Sequence, residues 1–405
     1  MNDRDIVRDL ARRVAAYAAE PANARIVKRW QDVNGLRKPD RPPVWCRPVG
    51  AWDEILPDSA LRCSDPGLRG VEKGLRRILI KREMGDDTPI NDWYDVPIKL
   101  DVDPPNTWGV DIGHHMPSEK GGAWLFDPPL KQAEDLDKLR LPTYRLDRAG
   151  TDRALAQAGE LLGDILPPRL YGGPPIGATL CSYAAELRGL TPMLMDMMDS
   201  PELVHRLMAY LRDACLRGMD QVEATGLMST NRFDPMTGSD PVGKARADGT
   251  LGFENLWCMG NSQEFDPVSP DMWKEFLLEY QKPIFARFGL VAYGCCENLT
   301  NKMEGVLAIP NLRIFVCSAW TDLGKLVERV GDKHVIMWRQ KATDVVHAPD
   351  EAALRKALRE GLKRLRGCRV QIVLRELQTL NGRPDRLHVW SRVAIEEAER
   401  FAREN

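Results

Sequence analysis

Hydrophobic positions in the C-terminal half of the chain fall in short runs separated by amphipathic stretches. The runs are Asn255-Leu-Trp-Cys-Met259, Leu290-Val-Ala-Tyr293, Arg313-Ile-Phe-Val-Cys317, His334-Val-Ile-Met-Trp338 and Val370-Gln-Ile-Val-Leu374. Short runs of this kind, rich in β-branched and aromatic residues, suit strands covered on both faces. Between them the spacing predicts helices over 270–287, near 300–308, and over 322–330, 350–366 and 384–403. Ser269-Pro270-Asp271 marks a helix start, because serine caps the free N–H groups of a first turn and proline tolerates that position. Upstream, Leu203, Leu207, Leu211 and Val222 sit at helical spacing among charges in 201–225, and a shorter helix falls over 179–189. Leu170-Tyr-Gly-Gly and Pro42-Pro-Val-Trp-Cys46 read as strands feeding loops. Residues 3–32 read as an amphipathic helix pair, and 100–140, rich in Pro, Gly and Asp, as an elaborated loop region with short strands.

Strands alternating with helices imply an α/β protein with a parallel sheet, and this many units predict closure into a single (β/α)8 TIM-type barrel over 40–405. Residues 1–39 then form an N-terminal helical extension. Composition is compatible with one large core: 43% of the 405 residues are hydrophobic. Net charge is −2, without long runs of either sign, which argues against nucleic acid or an anionic membrane as partner. No window approaches the roughly 18 apolar residues of a membrane span, and the first residues lack a signal-peptide core. Nine cysteines at irregular spacing do not form a disulfide framework and point to a reducing cytoplasm.

The stretch Tyr293-Gly-Cys-Cys-Glu-Asn298 changes the picture most. It follows an apolar run, and barrels place their chemistry at the C-terminal ends of strands. Thiolates beside a carboxylate are donors that Zn²⁺ accepts, so Cys295, Cys296 and Glu297 are candidate metal ligands. The competing account is a pair of buried, inert thiols. Adjacent cysteines seldom share one ion, so further ligands are expected from elsewhere, with Glu264 or Cys317 as candidates at neighbouring strand ends. Glu264 is also a candidate general base. Arg47 follows a strand directly and can hold an anion through its planar fork. Asp234 lies after a predicted strand and is a pocket or turn residue. His114-His115 has no third donor at ligand spacing and reads as a solvated pair.

These motifs resemble the uroporphyrinogen decarboxylase superfamily over roughly residues 40–395, and more closely its cobalamin-dependent methyltransferase branch. The resemblance rests on Ser262-Gln-Glu264, Ser269-Pro-Asp-Met272, Tyr280-Gln-Lys-Pro283, Tyr293-Gly-Cys-Cys-Glu297, Pro310-Asn-Leu-Arg313 and Pro384-Asp-Arg-Leu387. Against the decarboxylase pattern, Arg47 matches the first arginine of an N-terminal motif, Ala51 replaces the second, Asp92 matches a pyrrole-binding aspartate and Tyr183 a pocket tyrosine. The family's C-terminal Gly-His-Gly is replaced by Leu377-Gln-Thr-Leu-Asn-Gly382. Against the methyltransferase pattern, Tyr293 stands where a histidine ligand is expected and is assigned to substrate binding, while Cys295 matches the cysteine. The resemblance implies a zinc-dependent methyltransferase that moves a methyl group between a small methoxy or methylthio substrate and a corrinoid (cobalamin) on a separate protein. It leaves open a decarboxylase of a tetrapyrrole or other acid, and a non-catalytic barrel that binds a small molecule or corrinoid.

Overall fold

A computed structural model of the chain describes residues 2–115, 125–230 and 242–405. Twelve strands are present among them: β1 (Val44–Cys46), β2 (Tyr94–Pro97), β3 (Leu100–Asp103), β4 (Gly113–His115), β5 (Leu125–Asp127), β6 (Thr143–Leu146), β7 (Pro168–Tyr171), β8 (Trp257–Gly260), β9 (Leu290–Tyr293), β10 (Leu312–Cys317), β11 (Val335–Gln340) and β12 (Arg369–Leu374). Six of these form one parallel sheet in the order β1-β12-β11-β10-β9-β8, curled as half of a barrel. β2 and β7 make a separate parallel pair, while β3–β6 and β4–β5 are antiparallel pairs within the elaborated region.

Alternation along the sheet sorts the side chains into two layers. Trp45, Trp257, Ala292, Ile314, Val316, Val335, Met337 and Val373 pack on the inner face, together with Trp30 and Val33 of the helix Pro21–Asn34. Their neighbours in sequence, among them Val44, Tyr293, Phe315, Ile336 and Leu374, pack outward against the helices. Both faces are therefore dry, which is why these strands read as continuous apolar runs. The long helices start and stop where the sequence provides caps. Asp65 accepts the Leu68 N–H at the start of Pro66–Met84, which ends on Gly85 at φ 75°. Asp350 and Asp322 do the same for Glu351–Arg364 and Leu323–Val330.

Two departures from expectation have local causes. The helix expected over 270–287 is interrupted: Pro270–Trp273 and Glu279–Phe285 flank a π-helical turn at Lys274–Leu278, with Pro283 inside the last segment. Proline removes an N–H from the ladder, and a π turn re-registers the helix within one turn. At the sheet's edge, the free side of β1 is taken by side chains. The Val44 and Cys46 N–H groups donate to the Asp87 and Asp86 carboxylates at 2.7 and 2.8 Å. Arg29 and Arg41 hold Asp87 from behind, and Lys81 holds Asp86. The backbone ladder therefore stops at β1, and β2 joins β7 instead.

Candidate active site

Because β9 to β12 are adjacent and parallel, the residues that follow them gather at one edge of the sheet. β9 delivers Gly294-Cys295-Cys296-Glu297, β11 delivers Arg339, and β12 is followed by Arg375 and Glu376. The two thiols are half-buried with their Sγ atoms 3.6 Å apart. Cys296 Sγ lies 3.5 Å from Glu376 Oε1, and Arg339 Nη1 reaches both Cys295 Sγ, at 3.8 Å, and Glu376 Oε1, at 2.7 Å. The Arg339 side chain is 1% exposed, and its Nε and Nη2 have no hydrogen-bond partner. Glu376 holds a left-handed backbone conformation, φ 61°, which is costly for a non-glycine residue and is common where function demands it.

The two thiols differ in ionisation. The hydrogen bond from Cys296, helped by the positive charges of Arg339 and Arg375 and opposed by burial, lowers Cys295 to about 5. Cys296 is raised above the ordinary thiol value, because it shares that hydrogen bond with Cys295 and is itself buried. At neutral pH the pair is one thiolate and one thiol, the asymmetry that makes a cysteine reactive or metal-binding.

Glu297 serves the backbone. Its Oε1 accepts from Ser262 N at 2.8 Å and Ser262 Oγ at 3.2 Å, and its Oε2 accepts from Cys295 N at 2.8 Å. It is 2% exposed, and burial raises its carboxyl above the usual range. It fixes the turn that presents Cys295, while Glu376 supplies an acidic oxygen in contact with Cys296 Sγ.

The remaining candidates are dispersed. Tyr293 points outward into the core, fully buried, with its hydroxyl accepting from Trp273 Nε1 at 3.1 Å and donating to Gln281 at 3.2 Å. Cys317 also packs in the outer layer. Glu264 accepts from Ser182 Oγ at 2.8 Å, and its Oε2 is buried without a partner. Burial raises the nearby Glu186, and the Glu264 charge adds to that rise. The Tyr183 hydroxyl accepts from Gly177 N at 3.2 Å, and its ring packs against Trp108. Arg47 follows β1, whereas Asp92 is exposed and precedes β2. Asp234 lies outside the described residues. His114 and His115 are exposed on β4.

The donors at the sheet edge suit zinc in kind and in spacing. Two thiolates on a tetrahedral zinc stand about 3.8 Å apart, and a thiolate and a carboxylate oxygen roughly 3.6 Å. The observed 3.6 and 3.5 Å match those two edges. The third side is not drawn together: among the described residues no group of three or more His, Cys, Asp or Glu is arranged to hold an ion. Arg339, Arg375 and Glu376 were not singled out in the sequence. The signal was available, since each is a charge directly after, or at the end of, a buried strand. Neither a protein-family model nor a curated protein matches the chain.

Proposed function

We propose that the chain is a zinc-dependent methyltransferase whose centre is Cys295, Cys296 and Glu376, moving a methyl group between a small methoxy or methylthio compound and a corrinoid on a separate protein. The observation that carries this reading is the thiol pair Cys295 and Cys296 held at a strand end, with the Glu376 carboxylate at ligand spacing. The corrinoid partner rests on the family resemblance. Bound zinc supplies Lewis-acid polarisation of the ether or thioether heteroatom. The chain's own groups do the rest. Arg339 keeps Cys295 ionised and orients Glu376, while Glu297 and Gly294 fix the turn between them. We further propose that the six-stranded sheet and the β2–β7 pair close as one (β/α)8 barrel. The count of eight parallel strands supports this, as does a backbone bond of 3.1 Å from Ser229 N to Gly172 O beside β7. An experimental structure leaving the β2–β7 pair apart from the sheet would refute the closure.

The decarboxylase reading gains no support, because its two central groups sit at different strand ends, Arg47 after β1 and Asp92 before β2. The methyltransferase reading is tested by incubating zinc-loaded protein with cob(I)alamin and a panel of methoxylated aromatics and methyl thioethers. Methylcobalamin should form with the wild type and fall by roughly two orders of magnitude, the scale on which weakening a metal site lowers activity, in Cys295→Ser. No methylcobalamin from any donor in the panel would count against it.

A further inference from the structure

Three arginines gather at the same strand ends, and one of them, Arg339, is buried with donors to spare. The alternation that puts Met337 on the inner face continues to Arg339 within β11, and Arg375 follows directly on the end of β12. Arg339 pairs in register with Val373, so it lies one layer beneath Arg375. Both guanidinium charges act on Cys295. Arg47 emerges beside them, since its N–H donates to Leu374 O at 2.9 Å, immediately before Arg375. Arg339 is almost wholly covered, yet two of its three nitrogens lack an acceptor. A guanidinium placed this way attracts an oxyanion strongly, because little water competes for its donors.

We propose that Arg339 and Arg375 form a subsite for a carboxylate carried by the substrate, with Arg375 at the rim and Arg339 supplying charge from beneath. The substrate class is then a methylated small acid rather than a neutral ether. The inference deepens the methyltransferase reading and depends on Cys295 being the centre at which the substrate arrives. A carboxylate matches the planar fork of arginine through two parallel hydrogen bonds, a fit that a neutral carbonyl lacks.

Alkylation of Cys295 in the full, chelator-treated chain tests it without zinc or corrinoid. Iodoacetate, which carries a carboxylate, and its neutral counterpart iodoacetamide both transfer a carbon to the sulfur and release iodide. The ratio of their rates at Cys295, mapped by peptide mass spectrometry, is divided by the same ratio for N-acetylcysteine. The subsite predicts a normalised preference for iodoacetate of about tenfold or more, the scale of local electrostatic attraction. It predicts that the preference collapses in Arg375→Gln and in Arg339→Gln. Altered ionisation of Cys295 in either variant changes both rates together and cancels in the ratio. Acetate should protect Cys295 at lower concentration than inorganic phosphate. A wild-type ratio at or below that of the free thiol would overturn the proposal. So would failure of Cys295 to react with either reagent, or protection by phosphate alone. An intact preference with no methyl transfer would sink only the methyltransferase reading. Methyl transfer with no preference would sink only the subsite.

Discussion

A guanidinium with one nitrogen shared between a thiol and a carboxylate, and two nitrogens without partners, is an expensive thing to bury. Each unpaired buried donor costs roughly 1–3 kcal/mol, more when charged. The structure keeps Arg339 in that state beside Cys295, so its charge adds to the hydrogen bond from Cys296 in favouring a thiolate there. In chelator-treated protein, thiolate absorbance near 240 nm should therefore show one group titrating around pH 5, deprotonated above that pH and protonated below it. Arg339→Gln should move that midpoint upward towards the ordinary thiol value. A wild-type protein whose first thiolate forms only near pH 9 would contradict the assignment. At this scale the sequence was partly legible. Cys295 and Cys296 stood out because two thiols followed a strand. Glu297 stood out with them, but its role is set by Ser262 and the Cys295 amide, partners that no local pattern announces. Glu376 carried only the mark of a charge just past a buried strand, because its neighbours in space, Cys296 and Arg339, are 80 and 37 positions away in the chain.

Elements were far more legible than contacts. The apolar run Leu290–Tyr293 is β9, and Val370–Leu374 lies within β12, because a strand covered on both faces leaves its mark in every residue. The turn after β9 carries the chemistry, and Gly294 makes it possible. Gly294 has φ 118°, and a Cβ there would stand 2.8 Å from Val316 O and 2.9 Å from Leu299 Cδ1. Gly294→Ala should lower stability by roughly 1–3 kcal/mol, the usual cost of such backbone strain, and should loosen the placement of Cys295. Thermal unfolding of the variant checks this, and a melting temperature equal to wild type would argue that the turn is not constrained as described. The interrupted helix after Ser269 was less legible: its start was signalled, but the π turn at Lys274–Leu278 ahead of Pro283 was not.

Across the whole molecule, the two N-terminal helices belong to the architecture of the site. Asp3–Ala18 packs on Pro66–Met84 in a second core with Leu162 and Leu166, while Pro21–Asn34 closes the inner face of the sheet through Trp30 and Val33. That floor leaves the opposite edge, where Cys295, Arg339 and Glu376 meet, as the end at which chemistry can occur. No helix among the described residues is long and apolar enough to cross a membrane. The alternation of strands and helices foretold the parallel sheet, but not its break at β1, which depends on the buried Asp86 and Asp87 carboxylates capping that edge. The central claim, that Cys295 and Cys296 hold zinc with Glu376, is tested most directly by elemental analysis of untagged protein: wild type, Cys295→Ser, Cys296→Ser and Glu376→Gln. Near-stoichiometric zinc is expected in the wild type and a clear loss in each variant, greatest for the two cysteines. No zinc in the wild type, or zinc unchanged when either cysteine is replaced, would contradict it.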